Sequence, residues 1–144
     1  ITEHPPKPLP GQEYPVHVPQ VDLDGNDIAG LRSPEVEAPI GTHTGWSLRK
    51  KGFAEGELFS LTGSFVPFAR TKIERANIGD PRLSIEERYV NHDSYVRDLA
   101  NAARSLMGKG FLLEEDVARY VRAAMNRDPF DENVPLGPLQ LDWS

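Results

Sequence analysis

Hydrophobic residues recur with helical spacing in one part of this chain, between Ser84 and Asp128. Val96, Leu99, Ala103, Leu106 and Met107 fall three and four positions apart, which puts them on one face of a helix that Asp93 can cap. Gly108-Lys109-Gly110 supplies its stop. A second run, Val117, Tyr120, Val121, Ala124 and Met125, follows Glu114-Glu115-Asp116 and ends at Asp128-Pro129. The three acids suit the positive end of a helix dipole, and the proline cannot continue the helix. The two helices are predicted to form an antiparallel hairpin. Ahead of them, Ser84-Ile85-Glu86-Glu87 has the form of a capping box, so a short helix to about Val90 is expected.

The N-terminal half is patterned differently. Prolines at positions 5, 6, 8, 10, 15 and 19 hold residues 1–20 in extended geometry, as a linker or a strap laid over another surface. Within it Tyr14, Val16 and Val18 alternate with Pro15 and His17, as in a short edge strand. Residues 21–83 read as an irregular, Gly/Pro-rich lobe with short strands. Val21 to Ile28 forms a turn around Asp24-Gly25-Asn26. Gly30, Pro34, Pro39, Gly41, Gly45, Gly52 and Gly56 exclude a helix of normal length over residues 30–57. So long an irregular run is expected to pack on a surface outside the chain. Residues 84–128 are the helical region. Residues 129–144 are an extended tail whose Leu136, Leu139, Leu141 and Trp143 are expected to dock on a neighbour.

Composition narrows the function classes. The 144 residues, 38% of them hydrophobic, suffice for one core of ordinary size. A net charge of −6 argues against a nucleic-acid binder, which needs clustered cations. The basic cluster, Arg49-Lys50-Lys51, reads as a solvated loop. With no cysteine there is no disulfide framework, thiolate nucleophile or zinc–thiolate site. No apolar run approaches the roughly 20 residues that span a bilayer. Ile1-Thr2-Glu3-His4-Pro5-Pro6 is not a signal peptide, and the absence of a leading Met suggests a processed end or a piece of a longer polypeptide.

No complete reaction constellation is present. Asp22, Asp24 and Asn26 have the first three spacings of a calcium loop, but Asp27 stands where glycine must bend the chain and Ser33 where a bidentate Glu is needed. A turn is the better reading. The serine-hydrolase elbow Gly-x-Ser-x-Gly does not occur; Thr62-Gly63-Ser64-Phe65-Val66 comes nearest, and Ser64 reads as a turn or packing serine. The four histidines are dispersed without metal-pair spacing, His17 and His92 reading as surface residues. His43 is the one to weigh, set between Thr42 and Thr44 just ahead of Trp46. A general base needs a nucleophile and an orienting group beside it, and neither is identifiable, so no catalytic residue is assigned. His43, Trp46 and Arg49 are the candidate substrate-binding residues: Trp46 to wall an apolar pocket, Arg49 to pin a carboxylate. No metal and no cofactor is expected.

Several phrases resemble a known family in their order and spacing. They are Val21-Asp-Leu-Asp-Gly-Asn-Asp-Ile-Ala-Gly-Leu-Arg-Ser-Pro-Glu-Val36, Ala38-Pro-Ile40, Thr44-Gly-Trp-Ser-Leu-Arg49 and Leu61-Thr-Gly-Ser-Phe-Val-Pro-Phe68. Pro81-Arg-Leu-Ser-Ile-Glu-Glu-Arg-Tyr89, Tyr95-Val96 and Gly110-Phe-Leu-Leu-Glu-Glu-Asp116 complete the set. Together, over residues 14–127, they resemble the C-terminal portion of the bacterial alpha/beta hydrolase domain-containing proteins, esterase-like serine hydrolases several times longer. The resemblance implies an α/β hydrolase-type fold, of which this is the C-terminal part only. It also implies a triad lying upstream. Thr2-Glu3-His4 is faintly like the phrase holding the family's histidine, but Pro5-Pro6 follow at once and His4 is not assigned that role. Relatives carry other residues at the position of His43, which argues against a triad role there.

The resulting expectation is a C-terminal segment or subunit of a carboxylic ester hydrolase. It would pack on the N-terminal catalytic portion and line part of the pocket for a small-molecule ester. Such relatives are often exported, which points to the periplasm or outside. The alternative is a non-catalytic protein-binding or assembly module; a third reading is a free-standing enzyme with His43 as base. A fragment of the first kind is expected to leave Phe65, Phe68, Leu139 and Trp143 without the surface they pack on.

Overall fold

The helical hairpin forms where the apolar spacing places it, with its registration shifted. The computed structural model describes residues 11, 17, 19–52, 55, 59 and 62–143. The expected edge strand at Tyr14, Val16 and Val18, and most of the strap with His4, lie outside the described residues. In order, the elements are α1 (Pro34–Glu37), β1 (Gly41–Thr44), β2 (Ser64–Pro67), α2 (Lys72–Ile78), α3 (Ile85–Arg88), α4 (His92–Gly108) and α5 (Glu114–Met125).

Helix α4 begins two residues earlier than an Asp93 cap allows. Asn91 is the cap: its Oδ1 accepts from the Ser94 amide at 2.9 Å, and Ser94 Oγ accepts from the Asn91 amide at 3.1 Å. This reciprocal pair satisfies two donors at once, which a lone Asp93 would not. The buried face is Tyr95, Leu99, Ala100, Ala103 and Leu106, while Met107 is exposed. On α5, Val117 and Ala124 are buried and Met125 is exposed. The Asp116 carboxylate accepts from the Leu113 amide at 3.2 Å at the helix start. His92, at the start of α4, donates from Nε2 to the carbonyl of Ala124, near the end of α5, at 2.8 Å. That bond makes the pair antiparallel, and it places His92 between the helices rather than on the open surface.

Helix α3 forms at the expected capping box, with Glu87 accepting from the Ser84 amide at 3.0 Å and from its hydroxyl at 2.7 Å. It is a single turn, ending at Arg88. Helix α2 was not visible in the apolar pattern because none of its residues is buried. Its signal is in the caps instead: Thr71 Oγ1 accepts from the Glu74 amide at 3.1 Å, and Gly79 closes the end at φ 68°.

Strands β1 and β2 pair antiparallel, His43 opposite Phe65 and Thr44 opposite Ser64. Just before β2, the backbone of Gly63 passes so close to β1 that a Cβ there would lie 1.9 Å from the Thr44 carbonyl oxygen. Only glycine fits. The core gathers Ala38 and Ile40 ahead of β1, Phe68 after β2, Ile85 and Tyr89 around α3, Tyr95 and Leu99 from α4 and Ala124 from α5.

One expectation about packing is corrected here and another is narrowed. Part of the irregular lobe, Ala38 to Thr42, is buried in this core. The tail docks on its own chain: Leu136 and Leu139 pack against the core, and Arg127 donates to the carbonyls of Pro135, Gly137 and Pro138 at 2.8, 2.9 and 2.6 Å. Arg70 holds the carbonyls of Pro129 and Val134, and Glu35 accepts from the Leu139 amide. Arginine can do this because its fork offers several donors to carbonyls that a proline-rich segment leaves unpaired. Phe68 is buried, and Phe65 and Leu139 lie against the core; only Trp143 of the four expected orphans is largely exposed, with Arg119 at 5.2 Å from its ring. No described helix is long and apolar enough to cross a membrane.

Candidate functional site

The turn at residues 21–28 fixes strand β1 from outside, through one buried amide. Asn26 Oδ1 accepts from the His43 amide at 2.7 Å, and Asn26 Nδ2 donates to the Gly41 carbonyl at 3.4 Å. A side chain therefore takes the place of a third strand on the free edge of β1. The turn is braced in its own right. Asp22 Oδ1 accepts from the amides of Asp24 and Asn26 at 2.9 and 3.0 Å, and Asp22 Oδ2 accepts from Arg32 at 2.8 Å. Although burial works the other way, Arg32 and those two amides hold the Asp22 carboxyl below the ordinary value. Asp24 is bound by the two terminal guanidinium nitrogens of Arg88. The oxygens with calcium-loop spacing are thus engaged with arginines and amides in a turn, as the sequence reading favoured.

His43 comes out of this bracing half-buried, its ring edge-on to Phe65 at a centroid distance of 4.9 Å. It lines a cleft of about 310 Å³ with Asp27, Arg32, Ser33 and Thr44. Burial lowers its pKa below 6.5, and the charge of Glu35 opposes that shift. Among the described residues no hydroxyl or carboxylate bonds to its ring. Thr44 Oγ1 donates to the Trp46 carbonyl at 2.6 Å and accepts from the Ser64 amide at 3.1 Å, so it too is occupied. Ser64 is the first residue of β2, a strand position and not an elbow.

Trp46 lies at the exit of β1 and is partly exposed. Arg49, further along, sits 5.6 Å from the centre of the Phe59 ring and lines a separate cleft of about 740 Å³. The structure therefore puts the three candidates along one arm of the hairpin, with His43 and Arg49 on different clefts. Sequence reasoning missed two residues that position this arm, Asn26 and Arg82. Arg82 donates to Thr42 Oγ1 at 2.8 Å and to the carbonyls of Val66 and Pro67 at 3.0 and 3.2 Å, and it is held by Asp80 at 2.6 Å. No local pattern announces either, since each acts on residues at least 15 positions away.

The lowered pKa of His43 has a testable sign. The folded protein binds fewer protons than the unfolded chain just below pH 6.5, so this residue's contribution to stability is present above that pH and is lost as pH falls. An NMR titration of the His43 ring is expected to give a midpoint below 6.5, and His43→Gln is expected to flatten the stability slope there. A midpoint above 6.5 would mean that Glu35 outweighs burial.

A model of the alpha/beta hydrolase domain family matches residues 2–122. Neither the curated proteins nor the solved structures give a match.

Proposed function

This chain belongs to the alpha/beta hydrolase domain family, and from that membership we propose that it is a C-terminal, non-catalytic segment of a carboxylic ester hydrolase. The observation that carries the reading is the conjunction of that match with a sequence lacking the nucleophile elbow. In an ester hydrolase the serine, its base and the oxyanion donors must converge within hydrogen-bond reach. Here they would come from the N-terminal catalytic portion. This segment would supply a wall through the arm that carries His43, Trp46 and Arg49, with the small-molecule ester against one of the two clefts that His43 and Arg49 line.

A docking face for that portion is suggested by exposed apolar residues beside a braced ion pair. Leu23 is 97% exposed and Val90 91% exposed, and they neighbour Asp24 and Arg88, which bind each other. Large apolar side chains this open, held on a fixed turn and a helix end, are what an interface buries.

The chain alone is expected to hydrolyse no p-nitrophenyl butyrate and to take up no fluorophosphonate probe. Labelling of the chain itself, or turnover that His43→Ala abolishes, would replace this reading with a free-standing enzyme. A second reading, a protein-binding or assembly module of the same family, is favoured by the core closing within the chain around Phe68, Leu99 and Ala124. It differs in its partner, which would lack an elbow serine.

A further inference from the structure

Beyond Thr44 and Ser64 the two arms of the hairpin stay joined. The Phe59 amide donates to the Ser47 carbonyl at 2.9 Å, and Ser47 Oγ donates to the Thr62 carbonyl at 3.3 Å. This extension bears the 740 Å³ cleft. Leu48 and Phe59, both exposed, give it an apolar floor. Arg49, Lys50 and Lys51 stand around it, and among the described lining residues there is no carboxylate.

The molecule carries a net charge of −6, and several of its cations are neutralised at close range: Arg32 by Asp22, Arg75 by Glu87, Arg82 by Asp80 and Arg119 by Asp116, at 2.6–2.9 Å. Lys50 and Lys51 are exposed and have no ion-pair partner among the described residues. A local patch of one sign over a concave surface concentrates counter-charge. Exposed ion pairs are worth little in water, so charge alone would hold a small inorganic anion weakly. An apolar body laid on Leu48 and Phe59 adds the burial that the charges lack.

We propose that this cleft binds an amphipathic organic anion, its apolar body on Leu48 and Phe59 and its carboxylate head at Lys50 and Lys51. The proposal stands on the cleft's own residues and does not require the hydrolase reading. The test is a titration of the nitrogen-15-labelled chain, at low salt, with octanoate, octanol, octyltrimethylammonium and inorganic phosphate in turn. Octanoate is expected to move the amide signals of residues 47–52 and 62–64. Octanol and phosphate should bind at least tenfold more weakly, and the cationic amphiphile should leave those signals in place. Raising the salt should weaken octanoate binding, as screening of exposed charges requires.

The double substitution Lys50→Glu/Lys51→Glu changes two exposed side chains and should cut octanoate affinity at least tenfold, the other amide signals reporting that the fold is kept. If that variant does not fold, Lys50→Gln/Lys51→Gln serves instead, and the wild-type comparison of octanoate with octanol decides alone. Equal binding of octanol overturns the ionic half of the proposal, and equal binding of phosphate overturns the apolar half. Signals moving elsewhere, or a double variant that binds undiminished, overturns the site.

Discussion

Leu99→Ala is expected to lower the unfolding free energy by about 3 kcal/mol and the thermal midpoint by roughly 6–12 °C. Leu99 has no exposed surface and lies in the cluster with Tyr95, Ile85 and Ala124. Three of its companions in the packed helix pair, Ala100, Ala103 and Ala124, are already small and rigid, so they cannot swing in to fill the space. The cost therefore combines the lost transfer free energy with a persistent cavity. Met107→Ala is the control. It removes a side chain of similar volume from the same helix, but that side chain is exposed, and a change within about 0.5 kcal/mol is expected. Thermal and denaturant melts of both variants decide. Equal losses would mean that α4 is rotated, with Met107 on its buried face.

Arg88→Ala should be the largest polar effect, about 2–3 kcal/mol. Its guanidinium binds Asp24 through two nitrogens, donates to the Leu83 carbonyl at 3.0 Å, and lies 4.3 Å from the centre of the buried Phe68 ring. The side chains of Arg88 and Asp24 are 13% and 18% exposed, so the pair falls between two regimes. Fully exposed pairs contribute about 0.2–1 kcal/mol, while breaking a buried one costs about 3–5 kcal/mol, because a charge is left behind. Loss of the cation from the Phe68 face adds to this. A double-mutant cycle with Asp24→Asn separates the contributions, since removing both partners should cost less than the sum of the single changes. Because Asp24 sits in the turn that braces β1, the single variant should also shift the amide signal of His43. A loss under about 0.5 kcal/mol would leave the pair an ordinary surface contact.

The helical hairpin was legible because its apolar residues lie close in sequence and repeat with the helical period. What periodicity could not supply was the rotation of the faces. That is decided by contacts such as His92 with Ala124, 32 positions apart. The capping box at Ser84 was legible for the same local reason, whereas the cap at Asn91 was hidden by Asp93, an equally good cap by residue type. Helix α2 buries nothing, so it left no apolar stripe to find. The tail was misjudged because docking by arginine to main-chain carbonyls leaves no mark in an apolar pattern.

The candidate site was legible only as a list. His43, Trp46 and Arg49 do follow one another along one arm of the hairpin. That His43 and Arg49 line separate clefts is visible only in the folded hairpin, not in the order of the residues. Asn26 looked like a turn residue, and its amide reaches a strand 15 and 17 positions further on. The family itself was legible in the order of several phrases, each modest alone.

The central claim is that this segment works beside a catalytic portion it does not contain. The most direct test is an intact mass spectrum, under denaturing conditions, of the material purified from its natural source, with sequencing of every species found. The account predicts that the segment is recovered with a Gly-x-Ser-x-Gly polypeptide, either continuous with it or as a larger companion that a fluorophosphonate labels. A 16.1 kDa chain recovered alone, folded and unfolding in one cooperative step, would contradict it.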